Sequence, residues 1–97
     1  MSGKVVWKYP IPATDEFTVE MPEGAEVLTV QMQRDEPMFW ALLDPDAPTY
    51  LHAFRVLPTG RELPDAEQWT YRGTFQVHGG SLVFHLMERR SPCRLKT

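Results

Sequence analysis

The residues best suited to chemistry lie on alternate positions of one predicted β-hairpin near the end of the chain. Gly79 and Gly80 predict a tight turn because both tolerate positive φ, and a two-residue loop fixes the register of its strands. Phe75 then faces Phe84 on an apolar side. The opposite side gathers Arg72, Thr74, Gln76, His78, Ser81 and His85. Such a polar side is either a solvated sheet surface or the wall of a ligand pocket, and both remain open.

As a pocket wall, this polar face would suit a small anion attached to a ring. Arg72 could bind a phosphate or carboxylate through two parallel hydrogen bonds. Thr74 and Gln76 could bond to a ring edge, and His78 and His85 could donate to an anion or stack. The face therefore predicts binding of a small anionic, nucleotide-like ligand.

Three further residues join the predicted ligand-binding set. Arg55 lies between Phe54 and Val56 on a predicted strand. Trp7 and Trp40 each lie beside polar or charged neighbours, where an indole could stack on a ring. The alternatives are an arginine that extends to solvent at a sheet edge and tryptophans that pack in the core.

Metal and catalytic sites are not predicted. His78 and His85 share a face but are about four ladder steps apart, roughly 13 Å at ~3.3 Å per residue, which is too far to share one ion. His52 could join them only through a tertiary contact. Common hydrolase, metalloprotease and phosphate-loop motifs are missing. The sequence thus predicts no cofactor, no metal and no catalytic residue, and it favours a protein that is not an enzyme.

Charge argues against binding to duplex nucleic acid. The chain has 97 residues with 10 Lys+Arg against 13 Asp+Glu, a formal net charge of −3. Residues 14–46 hold nine acids and one base, whereas residues 50–97 hold seven bases and four acids. A duplex-binding protein usually has a clear basic excess on one face. A few arginines around a small anion remain compatible with this balance.

Turn residues divide the chain into short strands. Nine prolines and six glycines interrupt it at short intervals, a spacing typical of strands and turns. The predicted strands are residues 4–9, 17–21, 25–33, 38–43, 52–57, 69–78 and 81–88, with at most one helical turn within residues 61–68. In residues 25–33, Leu28, Val30 and Met32 are predicted to be buried, and residues 38–43 are predicted to be covered on both faces. The predicted fold is all-β and mainly antiparallel, a small sandwich or partly open barrel of six to seven strands.

Residues 1–88 are expected to form one domain, followed by a basic, flexible tail at residues 89–97. The lone Cys93 in that tail is expected to be a surface thiol, which fits a reducing cytosol. No apolar run approaches the length of a membrane span, and the start of the chain does not resemble a signal peptide. A domain this small also gains stability from self-association, so a homo-oligomer is expected.

Several segments, in the same order, resemble a family of short uncharacterised proteins from bacteriophages and prophages. The segments are FTVEMPEGA (17–25), WALLDP (40–45), FRV (54–56) with TG (59–60), and GTFQVHGGSLVFH (73–85). The resemblance covers roughly residues 5–88 and brings no catalytic residues with it. It implies a phage origin and expression in the cytoplasm of a bacterial host.

Three functions are compatible with these observations. The first is a non-enzymatic binding protein that sequesters a nucleotide-derived immune signal of the host, an analogy of role with other small phage proteins. The second is a protein–protein interaction module, with the acidic stretch 14–46 as its docking surface, that blocks a host enzyme or serves as an accessory virion protein. The third is an enzyme that degrades such a signal, with His78 or His85 as acid or base.

Overall fold

Short antiparallel strands make up most of this computed structural model, which describes residues 3–91 and 93–94. The strands are β1 (Val5–Pro10), β2 (Glu16–Pro22), β3 (Glu26–Gln33), β4 (Glu36–Leu43), β5 (Thr49–Pro58), β6 (Trp69–Val77), β7 (Leu82–Arg89) and the two-residue β8 (Cys93–Arg94). Single 3-10 turns cover Ala66–Gln68 and His78–Gly80. The predicted all-β, antiparallel fold is confirmed, with each predicted strand in place.

Two hydrogen-bonded sheets stack against each other. The first has the order β1-β4-β3 and the second the order β2-β5-β7-β6, with β8 paired to β5. β3 of the first sheet packs against β6 of the second. The molecule measures 45 × 32 × 19 Å, and the shortest dimension fits two sheets about 10 Å apart with their side chains. The sheets do not close into a barrel, so the sandwich alternative is the correct one.

A row of four aromatic rings crosses the core from one sheet to the other. Tyr9 stacks on Phe39 at 5.2 Å, Phe39 meets Phe54 at 5.0 Å, and Phe54 stacks on Phe17 at 5.2 Å between ring centroids. Tyr9 and Phe39 belong to the first sheet, while Phe54 and Phe17 belong to the second. The row fixes the two sheets face to face because aromatic pairs at these distances add to the free energy gained by burial.

The β6–β7 hairpin keeps the predicted register near its turn. Phe75 pairs with Phe84 and Val77 with Leu82, as predicted, although the connection is a four-residue loop with a 3-10 turn. Gly79 and Gly80 both have positive φ, as the turn prediction requires. Further along, the register shifts at a β-bulge between residues 71 and 73. The predicted pairing breaks down from Arg72 onward.

A second bulge overturns the prediction for Leu28. The register of β3 against β4 shifts between Val27 and Thr29, so the alternation of faces is interrupted there. Val27 and Val30 are buried, while Leu28 is 48% exposed. The extra residue of a bulge re-aims its side chain, and a strict period of two therefore fails at this point.

The prediction that residues 38–43 are covered on both faces is wrong for one face. Phe39, Ala41 and Leu43 point into the core and are buried. Met38, Trp40 and Leu42 lie on the outer face of the first sheet and are half-buried.

The second sheet continues past residue 88, where the tail was predicted to begin. Arg89 ends β7, the Arg90 amide donates to the Gln68 carbonyl at 2.9 Å, and β8 pairs with Tyr50 and Leu51 of β5. Residues 92 and 95–97 and the side chain of Cys93 lie outside the described part of the chain, and so do the predictions of a flexible tail and a surface thiol there. Among the described residues, no helix is long or apolar enough to cross a membrane.

Candidate functional site

Two of the predicted site residues meet in a chain of hydrogen bonds on the outer face of the second sheet. Thr74 pairs with His85 across β6 and β7, which places the Thr74 Oγ1 atom 2.9 Å from His85 Nδ1. The Tyr71 hydroxyl lies 2.6 Å from Thr74 Oγ1, and His85 Nε2 lies 2.7 Å from Thr59 Oγ1. We call Tyr71, Thr74, His85 and Thr59 the polar chain.

A neutral imidazole satisfies every link of the polar chain. Tyr71 can donate to Thr74, Thr74 to His85 Nδ1, and His85 Nε2–H to Thr59, and the reverse order works equally well. Both ring nitrogens of His85 are therefore engaged within the protein. Sequence reasoning missed Thr59, which reaches the face from the loop after β5, and Tyr71, which the bulge turns to this side.

Arg72 does not lie on this face, and its predicted placement there is wrong. The bulge at residues 71–73 turns its side chain to the inner side of the sheet, where Arg72 Nε donates to Glu88 Oε1 at 2.8 Å. A bulged strand presents two successive side chains where the partner presents one, which breaks the strict alternation of faces.

Glu88 is the centre of a buried polar cluster with Arg72 and His52. His52 and Glu88 are 3% and 5% exposed, and His52 Nδ1 lies 3.1 Å from Glu88 Oε2. His52 Nε2 is also buried and has no hydrogen-bond partner among the described residues. Removing either partner from a buried carboxylate is strongly unfavourable. The contacts indicate that this cluster stabilises the sheet.

Arg55 lies in a pocket on the outer face of the second sheet, which we call the arginine pocket. Its guanidinium carbon is 5.0 Å from the centroid of the Trp69 ring, and Arg55 Nη2 donates to Glu16 Oε1 at 2.6 Å. The pocket has a volume of about 540 Å³ and also includes Arg89 and Asp65. Two guanidinium groups and two carboxylates thus surround an indole.

Gln76 and His78 lie at a second cavity, an open cleft at one end of the sandwich that we call the end cleft. It has a volume of about 830 Å³. The inner faces of β5, β6 and β7 form its floor, and the β1–β2 loop and the β3–β4 turn form its rim. Its apolar side chains are Ile11, Pro12, Ala13, Met32, Pro37, Val56, Phe75, Val77, Leu82 and Phe84. His78 has a φ of 54° in the turn beside it.

Trp7 and Trp40 belong to the first sheet, away from both cavities. Trp40 is half-buried on the outer face of β4, opposite Lys8. Trp7 lies on the edge strand β1 and is 44% exposed. Neither lines the arginine pocket or the end cleft.

The chain matches a domain of unknown function, DUF7352, over residues 2–95. It belongs to the DUF7352 family. The resemblance to an uncharacterised family is thereby confirmed, and membership assigns neither an activity nor a host. No curated protein and no solved structure matches the chain.

In this DUF7352 domain the eight predicted binding residues lie at separate places rather than in one patch. Thr74 and His85 are in the polar chain, Gln76 and His78 at the end cleft, Arg55 in the arginine pocket, Arg72 in the buried cluster, and Trp7 and Trp40 on the first sheet. Among the described residues, no three His, Cys, Asp or Glu side chains are grouped closely enough to hold a metal ion. The arginine pocket and the end cleft are two cavities that could hold a ligand.

Proposed function

We propose that this protein is a non-enzymatic binding protein for a small, planar anion of the nucleotide type, and that the arginine pocket is its site. The observation that supports the proposal is the Arg55 guanidinium, 5.0 Å from the Trp69 ring centroid in a pocket that Arg89 also lines. A nucleobase can stack on an indole, and a guanidinium binds a phosphate through two hydrogen bonds. The two parts of a nucleotide thus each have a counterpart.

Glu16 is the internal competitor for Arg55. The Glu16 side chain is 61% exposed, against 23% for Arg55. An ion pair with such an exposed member contributes only ~0–1 kcal/mol. A phosphate that accepts two hydrogen bonds from the Arg55 guanidinium can therefore displace the Glu16 carboxylate. In this proposal Glu16 holds Arg55 over the indole until the ligand replaces its carboxylate.

The biological setting proposed for this activity follows from the resemblance to short phage proteins. The protein would be phage-encoded, act in the cytoplasm of a bacterial host and sequester a nucleotide-derived immune signal without changing it. It would not bind duplex nucleic acid. Self-association is part of the proposal, and the exposed edge strand β1 is the surface on which we test it below.

Calorimetric titration with cyclic nucleotides and ADP-ribose tests the binding site. We expect Arg55→Gln to weaken binding about tenfold or more, since a charge-assisted hydrogen bond contributes ~1.5–3 kcal/mol. Glu16→Gln should tighten binding roughly two- to fivefold because it removes the competitor. Arg61→Gln and Glu20→Gln are matched controls that change the same charges outside the pocket.

The outcomes separate binding from catalysis. Mass spectrometry should recover the ligand unchanged after denaturation of the complex. Absence of heat with every probe would overturn the proposal, as would equal binding by wild type and Arg55→Gln. Time-dependent product formation that His78→Ala or His85→Ala reduces would instead support a degrading enzyme.

A protein-interaction module is the second candidate, favoured by exposed carboxylates on and beside β2. Glu20, Glu23 and Glu26 are exposed and make no ion pair among the described residues. Capture of one stoichiometric host protein by wild type, but not by Glu20→Lys/Glu26→Lys, would support this function. Co-purification of a small molecule with both the wild type and the double variant would support the small-molecule binding function.

A further inference from the structure

We propose that the end cleft binds a hydrophobic molecule that carries a positive charge, such as an aromatic amine. This site is separate from the arginine pocket and prefers the opposite charge. The inference does not depend on the proposed function. Three features of the cleft support it: its apolar floor, its acidic rim and the fixed position of its walls.

The floor of the cleft is the open end of the hydrophobic core. Phe75 and Phe84 stack there with ring centroids 5.6 Å apart, and Val56 lies on the neighbouring strand. At the mouth of the cleft Leu82 is 46% exposed, and Val77, its cross-strand partner, is half-buried. An apolar molecule that covers this end would remove Leu82 and the half-buried Val77 and Phe84 from water, and burial of apolar surface is the main source of affinity in ligand pockets.

The rim of the cleft carries negative charge from two separate loops. Asp15 stands in the β1–β2 loop and Asp35 at the tip of the β3–β4 turn. Their carboxylates make no hydrogen bond or ion pair within the part of the chain that the structure describes. Among the described residues that line the cleft there is no lysine or arginine, and His78 is the one imidazole. A cation attached to an apolar group therefore matches the rim, whereas an anion would be repelled.

The walls of the cleft are held in place by backbone hydrogen bonds at both ends of the β1–β2 loop. The Ile11 amide donates to the Pro37 carbonyl at 3.0 Å, and the Val56 amide donates to the Asp15 carbonyl at 2.8 Å. These bonds tie the loop to both sheets. A preformed cleft loses less conformational entropy on binding, which favours a specific ligand.

Titration with tryptamine and with 3-indolepropionate tests the charge preference, because the two probes share an indole and differ in charge. We expect the wild type to bind tryptamine more tightly than 3-indolepropionate. Tryptamine should also shift the backbone amide resonances of Phe75, Val77, Gly79 and Phe84. Asp15→Asn/Asp35→Asn should weaken tryptamine about tenfold and reduce the difference between the probes, in line with the usual strength of charge pairs. Glu26→Gln is the control for loss of an exposed carboxylate.

A second variant pair tests the location. Leu82→Lys introduces a cation at the mouth of the cleft and should abolish tryptamine binding, whereas Leu28→Lys changes a similarly exposed leucine outside the cleft and should not. Equal affinity of both probes for the end cleft, read from the amide resonances of Phe75, Val77, Gly79 and Phe84, would overturn the inference. So would tryptamine binding that is insensitive to the aspartate pair or to Leu82→Lys. Because nucleotides are the probes for the arginine pocket, failure at one site is distinguishable from failure at the other.

Discussion

Tyr9 combines a well-packed ring with a poorly placed hydroxyl. Its ring stacks on Phe39 at the start of the aromatic row. Its hydroxyl oxygen is buried and has no hydrogen-bond partner among the described residues. Burial raises the pKa of Tyr9 above its usual value of 10.0, because desolvation disfavours the phenolate. The ring therefore stabilises the fold while the hydroxyl opposes it.

We predict that Tyr9→Phe leaves the free energy of unfolding at neutral pH unchanged or raises it by about 1 kcal/mol, because it removes an unsatisfied polar group.

The raised pKa means that the folded state holds the phenol proton of Tyr9 more tightly than the unfolded state does. Ionisation of Tyr9 therefore leaves the free energy of unfolding unchanged below pH 10.0 and lowers it as pH rises from there through the higher folded pKa. Urea denaturation between neutral and alkaline pH should show this decline in wild type and a smaller one in Tyr9→Phe.

Tyr71→Phe is the matched control, because the Tyr71 hydroxyl bonds to Thr74 Oγ1 at 2.6 Å. Its loss should lower stability slightly, by at most about 1 kcal/mol at such an exposed position. A Tyr9→Phe variant that is clearly less stable than wild type at neutral pH would show that the hydroxyl contributes favourably, against the prediction.

The two β-bulges have the largest consequences at the scale of the elements. The bulge in β3 exposes Leu28, and the bulge in β6 turns Arg72 from the outer face to the buried cluster with Glu88. The two bulges lie on β3 and β6, strands of different sheets that pack against each other. The β6 bulge is followed directly by Gly73, which lies against Val30 of the other sheet. A Cβ atom on Gly73 would lie 2.5 Å from Val30 Cγ2 and 2.6 Å from Val30 Cβ.

We predict that Gly73→Ala lowers the free energy of unfolding by about 1–3 kcal/mol, the usual cost of an added methyl group in a packed interior. The cost is steric and does not come from backbone strain, because Gly73 is not among the glycines with a positive φ. Urea denaturation at neutral pH measures the change. Gly3→Ala is the control because a Cβ there meets nothing within 4 Å.

The Val30 contact can be isolated with a double-mutant cycle. Gly73→Ala combined with Val30→Ala should cost less than the sum of the two single variants, because the smaller side chain makes room for the new methyl group. Additive costs would show that the two residues do not interact in this way.

At the scale of the whole molecule, the sandwich is left with an apolar strand on an outer edge. β1 pairs with β4 on one side only. Val5, Val6 and Trp7 on this strand are 38%, 50% and 44% exposed. Lys8, which could discourage edge pairing, donates instead to Gln33 at 2.6 Å across the sheet. An exposed hydrophobic edge favours pairing with another chain.

We predict that the protein self-associates through β1 and that Trp7→Lys shifts the equilibrium to monomer, because a lysine on an edge strand disfavours pairing. Light scattering coupled to size-exclusion chromatography over a concentration series measures the mass. Leu28→Lys, at a similarly exposed leucine on β3, should leave association unchanged. A monomer mass for wild type at every concentration would contradict the prediction.

Local features of the sequence determined the strands and the register of the β6–β7 hairpin near its turn. The positive φ of Gly79 and Gly80 and the pairing of Phe75 with Phe84 follow from turn chemistry and a period of two, which act over a few neighbouring residues. Arg55 was also recognised as unusual because an arginine interrupts an apolar strand.

Only the tertiary structure decided how the strands divide into two sheets, where the bulges fall and which side chains meet. Glu16 and Arg55 are 39 residues apart in the sequence, and His52 and Glu88 are 36 apart. No local pattern records such contacts, because they depend on which strands become neighbours. A bulge adds one residue to a ladder and exchanges the faces beyond it, which moved Arg72 to the buried cluster, while the division into two sheets separated Trp7 and Trp40 from the β6–β7 hairpin.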